Sequence, residues 1–234
     1  NKPIAALTIN CPSATTTLNG AVTFGTTTAT TTLTAGTLAL NGFNLTTGIF
    51  SSSNSNTRSV AFGSNNIFLV HSSTGQTVLD MGTPTGFTYT GTGGFSTSIT
   101  VARSVNFGAT VNTGGLVLTV GPNLFVTGGG VPSLNIVNFS AFNNLDFTGS
   151  FFTSAQGTVF VDTLTLNSGG VYSNLQPIFT RTQTWTAQFS KTLFGIGVGA
   201  VGVTLTLDNT QAYVATSEFL LYAGTLDLGG FDLT

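Results

Sequence analysis

Apolar and polar residues alternate along much of this chain in short runs with a period of two. Thr37-Leu38-Ala39-Leu40, Phe43-Asn44-Leu45-Thr46, Gly86-Phe87-Thr88-Tyr89-Thr90 and Leu116-Val117-Leu118-Thr119-Val120 show it, and it returns at 158–162, 163–166 and 203–208. Each run is four to six residues long and is bounded by Gly, Asn or Ser. That is the pattern of half-buried strands separated by turns. No helical period lies between the runs. Thr, Val, Phe and Gly dominate, whereas Ala, Glu, Lys, Gln and Arg, which favour helix surfaces, are scarce as a group. The expected fold is all-β, with residues 1–234 forming a single repeat module.

The chain also repeats itself. GTLALNGFNLT (36–46) returns as GTLDLGGFDLT (224–234), with eight of eleven positions identical at an offset of 188. The unit reads as a strand, a tight turn at Asn-Gly or Gly-Gly, and a second strand opening on Phe. Asn-Gly serves a hairpin or the corner of a stacked coil. Related x-Leu-x-Leu strands at Leu38, Leu116, Leu164, Leu205 and Leu226 fall near multiples of roughly 20 to 24 residues, a repeat length found in solenoids. A parallel β-solenoid (β-helix) is therefore expected, with a β-sandwich or jelly roll as the alternative. Threonine and asparagine ladders suit stacked coils, and the phenylalanines spread along the chain as a continuous core requires.

Loops are expected at 51–56 (Ser-Ser-Ser-Asn-Ser-Asn) and at 128–130 (Gly-Gly-Gly), where the module could subdivide. The threonine-rich stretch 15–38, with 12 Thr in 24 positions, reads as extended strand because Thr is β-branched.

Composition sharpens the picture. Only 5% of residues are charged, giving a net charge of −2, while 45 are Thr and 30 are Gly. At 41% hydrophobic the chain is no disordered tail. Five scattered bases provide no electrostatic grip on nucleic acid. No run of 18 apolar residues exists, so no membrane-spanning helix is expected. The single cysteine, Cys11, reads as a small hydrophobe or idle thiol rather than half of a disulfide or zinc site.

Candidate chemistry is sparse. His71 follows the apolar run Ile67-Phe68-Leu69-Val70 and reads as a strand-end or loop residue; a triad would need an orienting acid beside it. Asp80, Asp146, Asp162, Asp208, Glu218, Asp227 and Asp232 lie singly, mostly at expected strand ends, and are assigned to turns. Arg58, Arg103 and Arg181 have no acidic cluster beside them in the sequence, unlike polysaccharide lyases of the β-helix type, which carry calcium-binding acids and basic catalytic residues. Gly197-Val198-Gly199-Ala200-Val201-Gly202 matches GxGxxG, but a strand pattern follows where a dinucleotide site needs a helix, so a glycine-rich coil corner is expected. Thr26/Thr28, Thr30/Thr32 and Thr32/Thr34 match an ice-binding Thr-x-Thr pattern only locally, and Trp185 reads as core rather than a sugar platform. No catalytic, cofactor-binding or metal-ligating residue is assigned.

Through 36–63 and 224–234 the chain resembles Thr/Gly-rich repeat modules of phage fibre and appendage proteins and, more loosely, of bacterial surface adhesins. The resemblance implies a β-solenoid module with a structural or adhesive role, located extracellularly or on a virion surface. It would be non-enzymatic and partnered by copies of itself or neighbouring modules. The alternatives are an adhesin or receptor-binding module recognising host-surface glycan and, more remotely, a carbohydrate-active β-helix enzyme.

Overall fold

The computed structural model describes residues 4–24, 26–98, 103–107, 110–112, 115–117, 122–129, 134–136, 140–151, 155–166, 172, 174–186, 191–208 and 213–230. All regular structure among them is strand. The first part of the chain holds β1 (Ala6–Thr17), β2 (Val22–Thr23), β3 (Thr30–Ala39), β4 (Leu45–Thr47), β5 (Ile49–Ser51), β6 (Arg58–Gly63), β7 (Ile67–Leu69), β8 (Gln76–Met81), β9 (Phe87–Gly91) and β10 (Gly94–Ser98). The second holds β11 (Arg103–Phe107), β12 (Thr110–Asn112), β13 (Gly115–Val117), β14 (Asn123–Gly129), β15 (Leu134–Ile136) and β16 (Ser140–Phe151). It closes with β17 (Ala155–Thr165), β18 (Asn174–Phe179), β19 (Gln183–Trp185), β20 (Lys191–Leu207) and β21 (Tyr213–Asp227).

Among the described residues every strand pairing but one, β12 with β13, is parallel. Val22 stands beside Leu45, then Ile67, Phe95, Leu124, Leu145 and Leu164 in one column. Further along, Gln183 pairs with Leu205 and Leu205 with Leu226. Parallel neighbours cannot be joined by a tight hairpin, so each step needs a full coil of chain. This is the expected parallel β-solenoid. The antiparallel pairing of a sandwich or jelly roll is not what holds it together.

The step along the column ranges from 19 residues (Leu145 to Leu164) to 29 (Phe95 to Leu124), wider than the expected 20 to 24. The longest step contains a hairpin, in which β12 and β13 pair antiparallel and Asn112 stands opposite Gly115. Leu116 therefore pairs with Val111 and leaves the solenoid ladder on which its x-Leu-x-Leu pattern had placed it. Asn and Gly at the reversal favour a turn over a continued strand.

Three other expectations change. Of the loop expected at 128–130, Gly128 and Gly129 instead extend β14 and pair with Ser150 and Phe151, while Gly130 lies outside the described residues. Thr26, Thr27 and Thr28 form a bend and turn, and strand resumes only at Thr30. The second strand of the first repeat begins at Leu45, not Phe43, because Asn41 and Gly42 hold left-handed φ values of 50° and 85° and turn a coil corner. Asn41 Nδ2 donates down to Leu18 O of the preceding coil (3.2 Å).

Column residues Leu45, Ile67, Phe95, Leu124 and Leu145 are fully buried inside the coils. Phenylalanines stack between coils: Phe50 lies 5.0 Å from Phe95, Phe87 5.8 Å from Phe107, and Phe107 6.2 Å from Phe142, ring centre to ring centre. Such tilted and edge contacts suit aromatic quadrupoles. Beside the column runs the anticipated asparagine ladder. Asn66 N donates to Asn44 Oδ1 (2.9 Å), Gly94 N to Asn66 Oδ1 (3.0 Å), and Asn143 Nδ2 to Asn123 Oδ1 (2.8 Å).

Candidate functional site

A polar site lies at the corner between the two halves of β3. Along β1 the partners run Ile9 with Leu33, Asn10 with Ala35, and then Thr15 with Thr37, so residues 11–14 bulge outward opposite Gly36. Ser13 takes a left-handed φ of 61° to make that bulge. One coil further on, residues 56–59 pass the same corner. Between them opens a half-enclosed cleft of about 490 Å³, walled by Asn10, Pro12 and Ser13 on one side and Asn56, Thr57 and Ser59 on the other. Hydroxyls and amides of Asn10, Ser13, Asn56, Thr57 and Ser59 line it together with Pro12, Ala35 and Arg58.

At this corner sits Arg58, which the sequence offered only as a base without an acidic cluster beside it. Arg58 is 1% exposed and is among the largest fully buried side chains. Its Nε donates to Ser52 Oγ (2.7 Å) and Ser52 O (3.1 Å). Nη1 donates to Asn56 O (2.9 Å) and Thr85 O (2.7 Å), and Nη2 to Ser52 O (2.5 Å) and Thr83 O (2.7 Å). The guanidinium carbon also stands 5.7 Å from the centre of the Phe87 ring. Backbone carbonyls and an aromatic face thus neutralise a buried cation, and burial lowers its pKa from the ordinary guanidinium value. The arginine ties the loop at 52–57 to the loop at 83–86 across one coil step. Arg58 also lines the corner cleft, while its guanidinium hydrogen bonds go to main-chain oxygens and the Ser52 hydroxyl. A single Arg after a Ser/Asn loop carries no sequence signal of this role, because its acceptors are main-chain atoms of two loops.

The other candidates scatter. His71 follows β7 as expected but is buried, and its Nδ1 accepts from Ser73 N (3.1 Å). Trp185 is core, as expected: its Nε1 donates to Leu164 O (3.2 Å) and its ring lies 5.2 Å from Phe179. Asp80, Asp146 and Asp162 lie within β8, β16 and β17 rather than in turns. Asp162 Oδ1 accepts from Thr180 Oγ1 (2.5 Å), and Asp208 Oδ2 accepts from Thr186 Oγ1 (2.6 Å). Asp227 ends β21, while Asp232 and the side chains of Glu218 and Arg103 lie outside the described residues. Arg181 is exposed. Tyr89 is half-buried; burial raises its phenol pKa, and the charge of Asp162 adds to the rise.

Of the GxGxxG match, Gly197 and Gly199 lie in β20 and pair with Leu220 and Ala223, while Gly202 turns the corner at φ 76°. The strand continues through Leu207, as the alternation required. Cys11 is partly exposed in the bulge, 3.9 Å from Thr16 Oγ1. Among the described residues, no three His, Cys, Asp or Glu side chains gather as metal ligands, and no helix is long and apolar enough to cross a membrane. Comparison of the chain with family models, curated proteins and solved structures finds no match.

Proposed function

We propose that this chain is a non-enzymatic structural module of an extracellular fibre, filament or virion appendage, associating with copies of itself. One observation carries the reading: polar side chains bond from coil to coil. Thr31 donates to Thr47 (3.1 Å), Thr158 to Gln176 (3.0 Å), Thr163 to Asn144 (2.8 Å) and Thr180 to Asp162 (2.5 Å), each across 16 to 19 residues of sequence. Groups used in this way reinforce a stack along its axis. Removing most ionisable groups costs such a rod little, since hydroxyls and amides keep its surface wet. The test is electron microscopy and sedimentation of the purified chain at micromolar concentration. Rods longer than one module support the reading. A dispersed monomer at tens of micromolar overturns it.

The corner cleft favours a second reading, an adhesin that recognises host-surface glycan. The hydroxyls and amides in its lining, beside the apolar Pro12 and Ala35, match the hydroxyls and the apolar face of a sugar. A glycan array checks it: binding that disappears in Asn10→Ala and Asn56→Ala supports the cleft, and an array without signal removes it.

A further inference from the structure

The corner that carries the cleft recurs in β20 and β21. Along β1 and β3 the partners run Leu7 with Thr31, Ile9 with Leu33, Asn10 with Ala35, and then Thr15 with Thr37. Along β20 and β21 they run Ile196 with Phe219, Val198 with Leu221, Gly199 with Ala223, and then Thr204 with Thr225. Residues 200–203 therefore bulge opposite Gly224 as residues 11–14 bulge opposite Gly36. The two facing glycines share a left-handed conformation, φ 87° at Gly36 and φ 90° at Gly224. A Cβ at Gly36 would run into the carbonyls of Cys11 and Ala14, and one at Gly224 into those of Ala200 and Val203. The sequence repeat at 36 and 224 is thus the visible half of a two-coil structural repeat.

The repeat isolates one residue. Both bulges turn on a left-handed residue at their third position, Gly202 (φ 76°) in one and Ser13 (φ 61°) in the other. Glycine reaches that conformation freely, whereas serine holds it at a cost. Gly202 shows that the bulge forms without a side chain there, and a Cβ added to it would meet nothing within 4 Å. Ser13 is exposed and lines the cleft, and among the described residues its hydroxyl has no hydrogen-bond partner. Neither packing nor hydrogen bonding within the described chain offsets the cost of a serine at this position. Residues held in such conformations cluster at ligand clamps. The other cleft hydroxyls, on Thr37, Thr57 and Ser59, are likewise unpartnered among the described residues. Thr31, Thr47 and Thr180, by contrast, donate theirs to neighbouring coils.

We propose that Ser13 is the residue through which the corner cleft selects a glycan. Its hydroxyl, held in the cleft wall by a left-handed backbone, exchanges a hydrogen bond with one sugar hydroxyl. A serine hydroxyl both donates and accepts, as a sugar hydroxyl does. A site built around such a bond rejects analogues that lack the hydroxyl. Asn56, Thr57 and Ser59 on the opposite wall supply partners for further hydroxyls of the same sugar. The proposal rests on the glycan reading of the cleft and names its specificity-determining contact.

The test pairs binding with stability. Wild type, Ser13→Gly and Ser13→Ala are screened on an array of neutral and acidic oligosaccharides, and the strongest wild-type hit is titrated by calorimetry. Both variants should bind that saccharide about 3- to 10-fold more weakly, the loss of one hydrogen bond. Ser13→Gly should still melt as high as the wild type or up to about 4 °C higher, because relief of the left-handed φ offsets the added freedom of the unfolded chain. Among monodeoxy analogues of the same saccharide, one should lose the same factor on wild type and nothing further on Ser13→Gly. Equal binding by the wild type and both variants, or a Ser13→Gly chain that melts lower than wild type, overturns the role of Ser13 and leaves the glycan reading standing. An array without wild-type signal removes both.

Discussion

Arg58 Nε donates to Ser52 Oγ at 2.7 Å, and the same hydroxyl donates to Leu33 O of the preceding coil at 2.7 Å. One buried cation and one buried hydroxyl thus link three coils. Replacing Arg58 with Ala removes the donor to Ser52 Oγ and to the carbonyls of Thr83 and Thr85, while Ser52 O keeps the Asn54 amide. A hydrogen bond from a charged donor is worth about 1.5–3 kcal/mol, so the variant should lose about 2 kcal/mol or more in chemical denaturation. Arg58→Lys keeps the charge but not the planar fork and should recover only part of that. A melting curve unchanged in Arg58→Ala would show the clamp to be idle.

Gly36 has no room for a side chain. Gly36→Ala combines a collision with the Cys11 carbonyl and a left-handed φ, and should destabilise by about 2 kcal/mol or more. At Gly20 an added methyl would meet nothing within 4 Å, and the backbone has no positive φ, so Gly20→Ala should stay within about 0.5 kcal/mol of wild type. Equal effects at the two glycines would contradict the corner geometry.

The asparagine ladder makes a similarly local prediction. In Asn66→Ala the amide of Gly94 loses its acceptor, at about 1–2 kcal/mol. Hydrogen exchange should report the loss as faster exchange at Gly94, with distant coils unchanged.

Trp185 is the only tryptophan in the chain, so intrinsic fluorescence reads one site. Its burial predicts blue-shifted emission that resists soluble quenchers until unfolding. Trp185→Phe should cost about 1 kcal/mol, because Leu164 O loses its donor. Emission typical of free indole would place the ring on the surface instead.

Tyr89 predicts alkaline sensitivity. Its pKa is raised in the folded state, first by burial and then by Asp162. The folded chain therefore holds the phenolic proton more tightly than the unfolded chain. This contribution is complete below the ordinary phenol pKa and is lost as pH rises from there through the raised, folded-state pKa. Thermal melts across the alkaline range should fall less steeply for Tyr89→Phe than for wild type.

The alternation at 37–40, 86–90 and 203–208 located strands that the structure contains, and the Thr, Asn and Phe distribution pointed to a stack. Leu116 shows the limit of that reading. Its x-Leu-x-Leu neighbourhood is indistinguishable from that of Leu205, yet it pairs antiparallel with Val111 while Leu205 pairs parallel with Leu226. Periodicity records which face a side chain takes, but not which strand lies beside it. Arg58 was illegible for a related reason, since its partners are main-chain oxygens that every residue type possesses.

By itself, then, the sequence determined an all-β chain with the side chains of a β-solenoid, because period-two burial and turn residues are local properties. Only the tertiary structure decided which coil rests on which, that a buried arginine ties two loops together, and that β20–β21 repeats β1–β3. Register and corner shape arise from backbone contacts between coils 19 to 29 residues apart. Such contacts constrain φ and close approach at a few glycines, and leave the rest of the sequence free to vary.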